Sequence, residues 1–210
     1  MPIKKIVRVW EKGKLIPENI TFLKKKTKNV FFPLTDSSKL IIQDLIDSYQ
    51  KITCAGIAAN QIGYDKSIFI GLANYDDTID EEEIEKKESR SEEIKPDDIN
   101  EYADNYEIYI NPQIDNVDNK SIQEEVEGCL SIPSISLRMQ RFDKIKVRYY
   151  NQDGKAVKKS LKGFMSKLFQ HELDHLNGKL MIQNDIIEGY LDSESSITPE
   201  LYYELQKLFK

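Results

Sequence analysis

Gln170-His171-Glu172-Leu173-Asp174-His175-Leu176-Asn177-Gly178 holds the only two histidines of this 210-residue chain, four positions apart, with a glutamate directly after the first. On an α-helix, positions i and i+4 share a face, so both imidazoles can reach one metal ion while Glu172 stays free to move protons. This H-E-x-x-H pattern makes hydrolysis the leading reading. Gly178 suits the residue just past a helix end, and the pattern predicts a helix from about Gly163 to Asn177.

The segments before it read as strands. Asp143 to Tyr150 alternates Ile145, Val147 and Tyr149 with basic residues, Asn151-Gln152-Asp153-Gly154 is a turn, and Val157 to Leu161 can return as the second strand of a hairpin. Glu107 to Ile110 is strand-like and is predicted to stop at Asn111-Pro112, because proline has no N–H for a ladder. Ser67 to Ala73 reads as a short apolar strand and Gly56 to Gly63 as a loop of small residues. Lys39 to Gln50 has helical apolar spacing behind the capping run Thr35-Asp36-Ser37-Ser38. Thr198 to Phe209 offers a capping threonine, then proline at the first helical position, then Leu201, Leu205 and Leu208 at helical spacing. The expected class is α+β: mostly antiparallel sheets around a central metal-bearing helix, with helices on one side and hairpins on the other.

Length and composition suit one catalytic domain over 1–210, and no apolar run approaches the length that crosses a bilayer. No secretory signal is legible, so a cytoplasmic protein is expected. The net charge of −6 argues against a sequence-independent nucleic-acid binder, which needs excess Lys and Arg to neutralise phosphates. Residues 76–105 carry fourteen acidic and four basic side chains, which leaves the rest of the chain at +4. That stretch reads as an exposed acidic insertion.

A catalytic metal centre commonly has three protein ligands and one open position. The best third ligand is Cys129 in Glu127-Gly128-Cys129-Leu130-Ser131, since a thiolate binds zinc or ferrous iron well and Gly128 allows close approach. Glu127 is either an exposed strand charge or an anchor for a ligand, with Arg141 as a possible partner. Asp174 is expected on the helix surface, pointing away from His171. Three alternatives stand beside this reading: a closed site recruiting Cys54, an H-E-x-x-H peptidase with a different third ligand, and a metal-stabilised binding module without activity.

Ala55-Gly56-Ile57-Ala58-Ala59-Asn60-Gln61, Glu127-Gly128-Cys129-Leu130-Ser131 and Gln170 to Gly178 together resemble, in order, the three signature motifs of peptide deformylase. The resemblance covers most of residues 30–190 and omits the acidic insertion and the C-terminal helix. It implies Cys129, His171 and His175 as metal ligands and Glu172 as general acid and base. Gln61 and the Leu130 N–H would form the oxyanion hole. The substrate would be N-formylmethionyl ends of nascent polypeptides, lying extended between Ala55–Gly56 and Gly128, with methionine against Phe164 and Leu168. One divalent ion is implied, ferrous iron in cells and zinc or nickel in preparations, with transient contact to the ribosome. Two features depart from the motifs. Cys54 stands where the first motif usually opens with glycine, and Lys167 where an aliphatic wall of the methionine pocket is expected. The arginine usual after the second motif has no clear counterpart; Arg138 and Arg141 are the candidates to replace it.

Overall fold

Ile68–Leu72 (β4) is apolar and buried at every position, the signature of a strand covered on both faces. In the computed structural model of the chain, which describes residues 4–75, 100–183, 186–191 and 198–209, two helices provide that cover. Ile68 and Ile70 share a cluster with Ile41, Ile42 and Leu45 of α2 (Asp36–Tyr49). Phe69, between them, turns to the opposite face and meets Phe169 of α3 (Gly163–Leu176) edge-on at 5.4 Å. The next strand, β5 (Tyr106–Val117), repeats the alternation: Ile108 and Ile110 lie with α2, and Tyr109 stacks on Phe69 at 4.3 Å. Burying each such side chain is worth about 1.5–3 kcal/mol.

These strands belong to a five-stranded sheet ordered β3 (Gly56–Ala58), β4, β5, β8 (Lys144–Tyr150), β9 (Ala156–Lys162). A three-stranded sheet orders β10 (Ile186–Leu191), β7 (Ile132–Phe142), β6 (Ile122–Cys129). Its core gathers Ile132, Ile135, Leu137 and Met139 with Ile20 and Leu23 of α1 (Pro17–Leu23) and Leu205 of α4 (Pro199–Phe209). A short hairpin, β1 (Trp10–Glu11) with β2 (Lys14–Leu15), precedes α1. All pairings described are antiparallel, as the α+β reading expected. The layering differs from it, because α2 and α3 lie on opposite faces of the larger sheet rather than together on one side.

Two sequence boundaries are corrected. β5 does not end at Asn111-Pro112 but passes through a bulge there. Asn111 takes a left-handed φ of 50° and replaces the lost ladder with its side chain, accepting from the Val30 N–H and donating to the Val30 carbonyl, both at 2.8 Å. The stretch Gly56 to Gly63 is not a loop, since β3 runs straight into a 3₁₀ turn over Ala59–Ile62. Of the acidic insertion, 76–99 lie outside the described residues. Asn100 is buried and ties the following segment to the body, donating to the Tyr49 and Cys54 carbonyls at 2.8 and 2.9 Å. Among the described residues no helix is long and apolar enough to cross a membrane.

Candidate metal centre

Helix α3 is fixed at both ends before it presents any chemistry. At its start Asp143 accepts from the Gly163 N–H at 3.0 Å, and the Gln170 amide pairs with both backbone groups of Phe142, at 2.8 and 3.1 Å. At its end Gly178 adopts φ +73°, and the Lys179 N–H closes back on the Asp174 carbonyl at 2.8 Å. Thr27 caps the Leu176 carbonyl through backbone N–H and hydroxyl. Asn60, from the 3₁₀ turn after β3, donates to the His175 carbonyl at 2.6 Å and so locks the first motif to the third.

So held, α3 turns His171 and His175 toward Cys129 at the end of β6. One ligand atom from each of the three lies within 4.8 Å of the others, and Cys129 Sγ stands 3.2 Å from His175 Nε2. These separations suit the edges of a coordination shell with metal–ligand bonds of about 2.0–2.3 Å, and the donor set is one that zinc and ferrous iron accept. Cys54 is not part of this cluster, although it lines the same cavity. Its thiol is pushed well up by burial and then by the Glu172 charge, which disfavours the thiolate a ligand requires.

Behind His171 sits a buried charge network. Glu127 Oε2 is 2.8 Å from His171 Nδ1, while Arg141 donates to both Glu127 oxygens at 2.8 and 2.9 Å. Arg141 also donates to Asp174 at 2.6 Å. Asp174 is therefore not an idle surface charge but the second anion on Arg141. Burial works against a charged Glu127, but the hydrogen bonds from Arg141 and His171 prevail and hold its carboxyl at about 2. For His171 the same contest between burial and hydrogen bonds, to Cys129 and Glu127, ends well above the ordinary imidazole range. His175 is pushed well below that range, by burial first and then by the His171 charge.

Glu172 points into the cavity from the same turn of α3. Its Oε2 is buried with no hydrogen-bond partner, and burial, supplemented by the Glu127 charge, raises its pKa to about 7. Gly56 makes room for it: a Cβ at that position would lie 2.7 Å from Glu172 Oε1 and 2.9 Å from Leu168 Cδ1. Gln61 is oriented by the Ala58 N–H, which donates to its Oε1 at 2.8 Å, so its NH₂ faces Cys129 Sγ at 3.7 Å and Ser131 Oγ at 3.4 Å.

The cavity over this centre has a volume of about 700 Å³. Ala55, Gly56, Gly128, Leu130, Phe164 and Leu168 all line it. A Cβ on Gly128 would meet nothing within 4 Å, so that strand end opens onto free space. Lys167 lines the cavity with its ammonium 5.0 Å above the Phe164 ring, its stem along the wall as its length allows. Sequence reasoning missed Asn60, Gln170 and Asp174. Asn60 and Gln170 stand inside the quoted motifs, but only the tertiary positions of the His175 carbonyl and the Phe142 backbone give them work.

The family model described as polypeptide deformylase matches residues 13–187. Similar curated proteins include the peptide deformylase of Elusimicrobium minutum, 31% identical over 211 residues, covering 100% of this chain and 98% of that protein. That of Aquifex aeolicus is 35% identical over 168 residues, covering 80% of this chain and 83% of the other. Among solved structures, the peptide deformylase of Thermotoga maritima superposes with a TM-score of 0.64 at 27% identity, over 88% of this chain and 98% of that one.

Proposed function

This chain belongs to the polypeptide deformylase family, and from that membership and its own geometry we infer how its residues carry out the reaction. It is a metal-dependent hydrolase that removes the formyl group from N-formylmethionyl peptides, yielding formate and a free amino terminus. The observation that carries the reading is the convergence of Cys129, His171 and His175 beside a buried, partnerless Glu172 oxygen.

Cys129, His171 and His175 would hold one divalent ion, ferrous in cells and zinc or nickel in preparations; mixed sulfur and nitrogen donors accept all three. When bound, the ion supplies Lewis-acid chemistry, lowering the pKa of water and polarising a carbonyl. Glu127 accepts from His171 Nδ1, which selects the tautomer whose Nε2 is free to bind. Glu172, whose unpartnered oxygen lies beside the ligand cluster, takes the proton from the attacking water and returns it to the departing nitrogen. Gln61 Nε2 and the Leu130 N–H meet the formyl oxygen as it gains charge. The peptide backbone lies extended between Ala55–Gly56 and Gly128, where absent or small side chains admit another chain, and the methionine side chain rests on Phe164 and Leu168.

In the cell the substrates are nascent chains, the setting is the cytoplasm, and contact with the ribosome is transient. The exposed Tyr203 and Leu208 of α4 offer apolar surface for that contact. The deciding assay measures formate and new amine from formyl-Met-Ala-Ser and acetyl-Met-Ala-Ser after loading with ferrous, nickel or zinc ion. Release from the formyl peptide alone supports the reading; no release with any ion refutes it.

A further inference from the structure

The segment Val7 to Val9 is stapled to the 3₁₀ turn after β3 and to the turn between β6 and β7. The Val7 N–H donates to the Gln61 carbonyl at 2.8 Å and the Val9 N–H to the Ser131 carbonyl at 2.9 Å. In extended chain, alternate side chains face opposite ways. Val9 is fully buried and Val7 packs on the same core, so Arg8 between them is turned outward and lies exposed. Its carbonyl is held by Asn19 Nδ2 at 2.8 Å, which fixes the backbone from which the side chain departs. Arg8 lines the catalytic cavity, as does Lys167.

The two carboxylates on that lining are both buried. Glu127 is paired with Arg141 and His171, and Glu172 sits on the floor beside the ligands. Among the described residues, the charge left accessible on that lining is thus two cations and no anion. The positions that the second motif suggested for a cavity arginine do not provide one, since Arg141 is buried against Glu127 and Asp174 and neither it nor Arg138 is on the lining. A formyl-capped nascent chain carries no ammonium at its amino end and its carboxyl end is distant, so the side chains next to methionine supply the charges that enter this field.

We propose that Arg8 and Lys167 make the enzyme charge-selective: formylmethionyl peptides with acidic side chains just after methionine are favoured, and those with basic side chains are disfavoured. The proposal rests on the deformylase reading and extends it to the residues beyond methionine. Arg8, on the N-terminal segment, is a specificity residue supplied from outside the three motifs. Each exposed pair should change kcat/KM by about two- to five-fold at low salt, mostly through KM, and less as salt rises.

The test uses the full-length, metal-loaded enzyme with C-terminally amidated formyl-Met-Ala-Ser peptides carrying Glu, Gln or Lys at the second or third position. The expected order of kcat/KM is Glu, then Gln, then Lys, narrowing at about 0.5 M salt. Arg8→Glu combined with Lys167→Glu should reverse the order. Lys120→Glu, in the turn between β5 and β6, should preserve it. Direct titration with the products Met-Glu-Ser and Met-Lys-Ser should give the same order of affinity without any turnover. Equal rates on the Glu and Lys peptides by the wild type, an unreversed order in the double variant, or an equal shift from Lys120→Glu would each overturn the proposal. Failure to release formate from the Gln peptide would instead strike the deformylase reading.

Discussion

Glu127 holds Arg141 through both carboxylate oxygens and His171 through one of them, so a single buried carboxylate joins the second motif to the third. Arg141 in turn spans Glu127 and Asp174. Its guanidinium fork is what allows one cation to satisfy both acids.

Arg141→Met strips buried Glu127 and half-buried Asp174 of the cation they share. It should destabilise the protein by about 3–5 kcal/mol, and Arg141→Lys should recover only part of this. Urea unfolding of both variants at pH 7 measures the difference. Wild-type stability in Arg141→Met would refute the assignment.

The depressed pKa of Glu127 sets an acid window. Its folded value of about 2 lies below the ordinary 4.5, so its contribution is complete above 4.5 and is lost as pH falls toward 2. Relative to Glu127→Gln, the wild type should therefore lose its advantage between those limits. Unfolding midpoints at pH 6, 4 and 2.5 for both proteins provide the check, and a gap that widens in acid would contradict the pairing.

Glu172→Gln should cut formate release by about 10²–10⁴-fold while bound metal stays near one per chain. Cys129→Ala should lose the metal itself. Metal content and turnover on the same samples separate the two roles; a metal-free Glu172→Gln protein would sink the assignment of Glu172 to proton transfer.

Gly56→Ala places a methyl group 2.7 Å from Glu172 Oε1, closer than real contacts allow. The side chain must swing away, so kcat should fall roughly tenfold or more, as for a displaced catalytic group, with little change in unfolding midpoint. An unchanged kcat would mean that the Glu172 position is not critical.

Gln61→Ala removes the amide that faces Cys129 and Ser131 and also strips the Ala58 N–H of its acceptor. A loss in kcat of about 10²–10³-fold with a nearly constant KM is expected for an oxyanion donor. A change confined to KM would assign Gln61 to binding instead.

The ligand helix, the hairpin of β8 and β9 and the apolar strand β4 were legible because their periods and end residues agree: helical spacing closed by Gly178, alternation around Asn151 to Gly154, an unbroken run at Ile68–Leu72. Cys129 was legible as the candidate third ligand from the motif around it, and the fold brings its sulfur to the two imidazoles. What stayed hidden depends on chain segments meeting at a distance. Asn111-Pro112 reads as a strand end until Val30 is seen to accept the asparagine side chain in place of a ladder. Asp174 reads as a surface charge until Arg141 arrives from β7. Arg8 has no local signal, because its position follows from two backbone hydrogen bonds to carbonyls more than fifty residues away, those of Gln61 and Ser131.

Cys129 ends a strand of the three-stranded sheet, whereas both histidines ride on a helix packed against the five-stranded one. An ion held by all three is consequently a cross-link between two separately packed halves. Oxidation of that one sulfur to a sulfinic acid would do two kinds of damage at once, silencing the chemistry and removing one of the ties between the halves, so that inactivation and increased protease sensitivity should advance together.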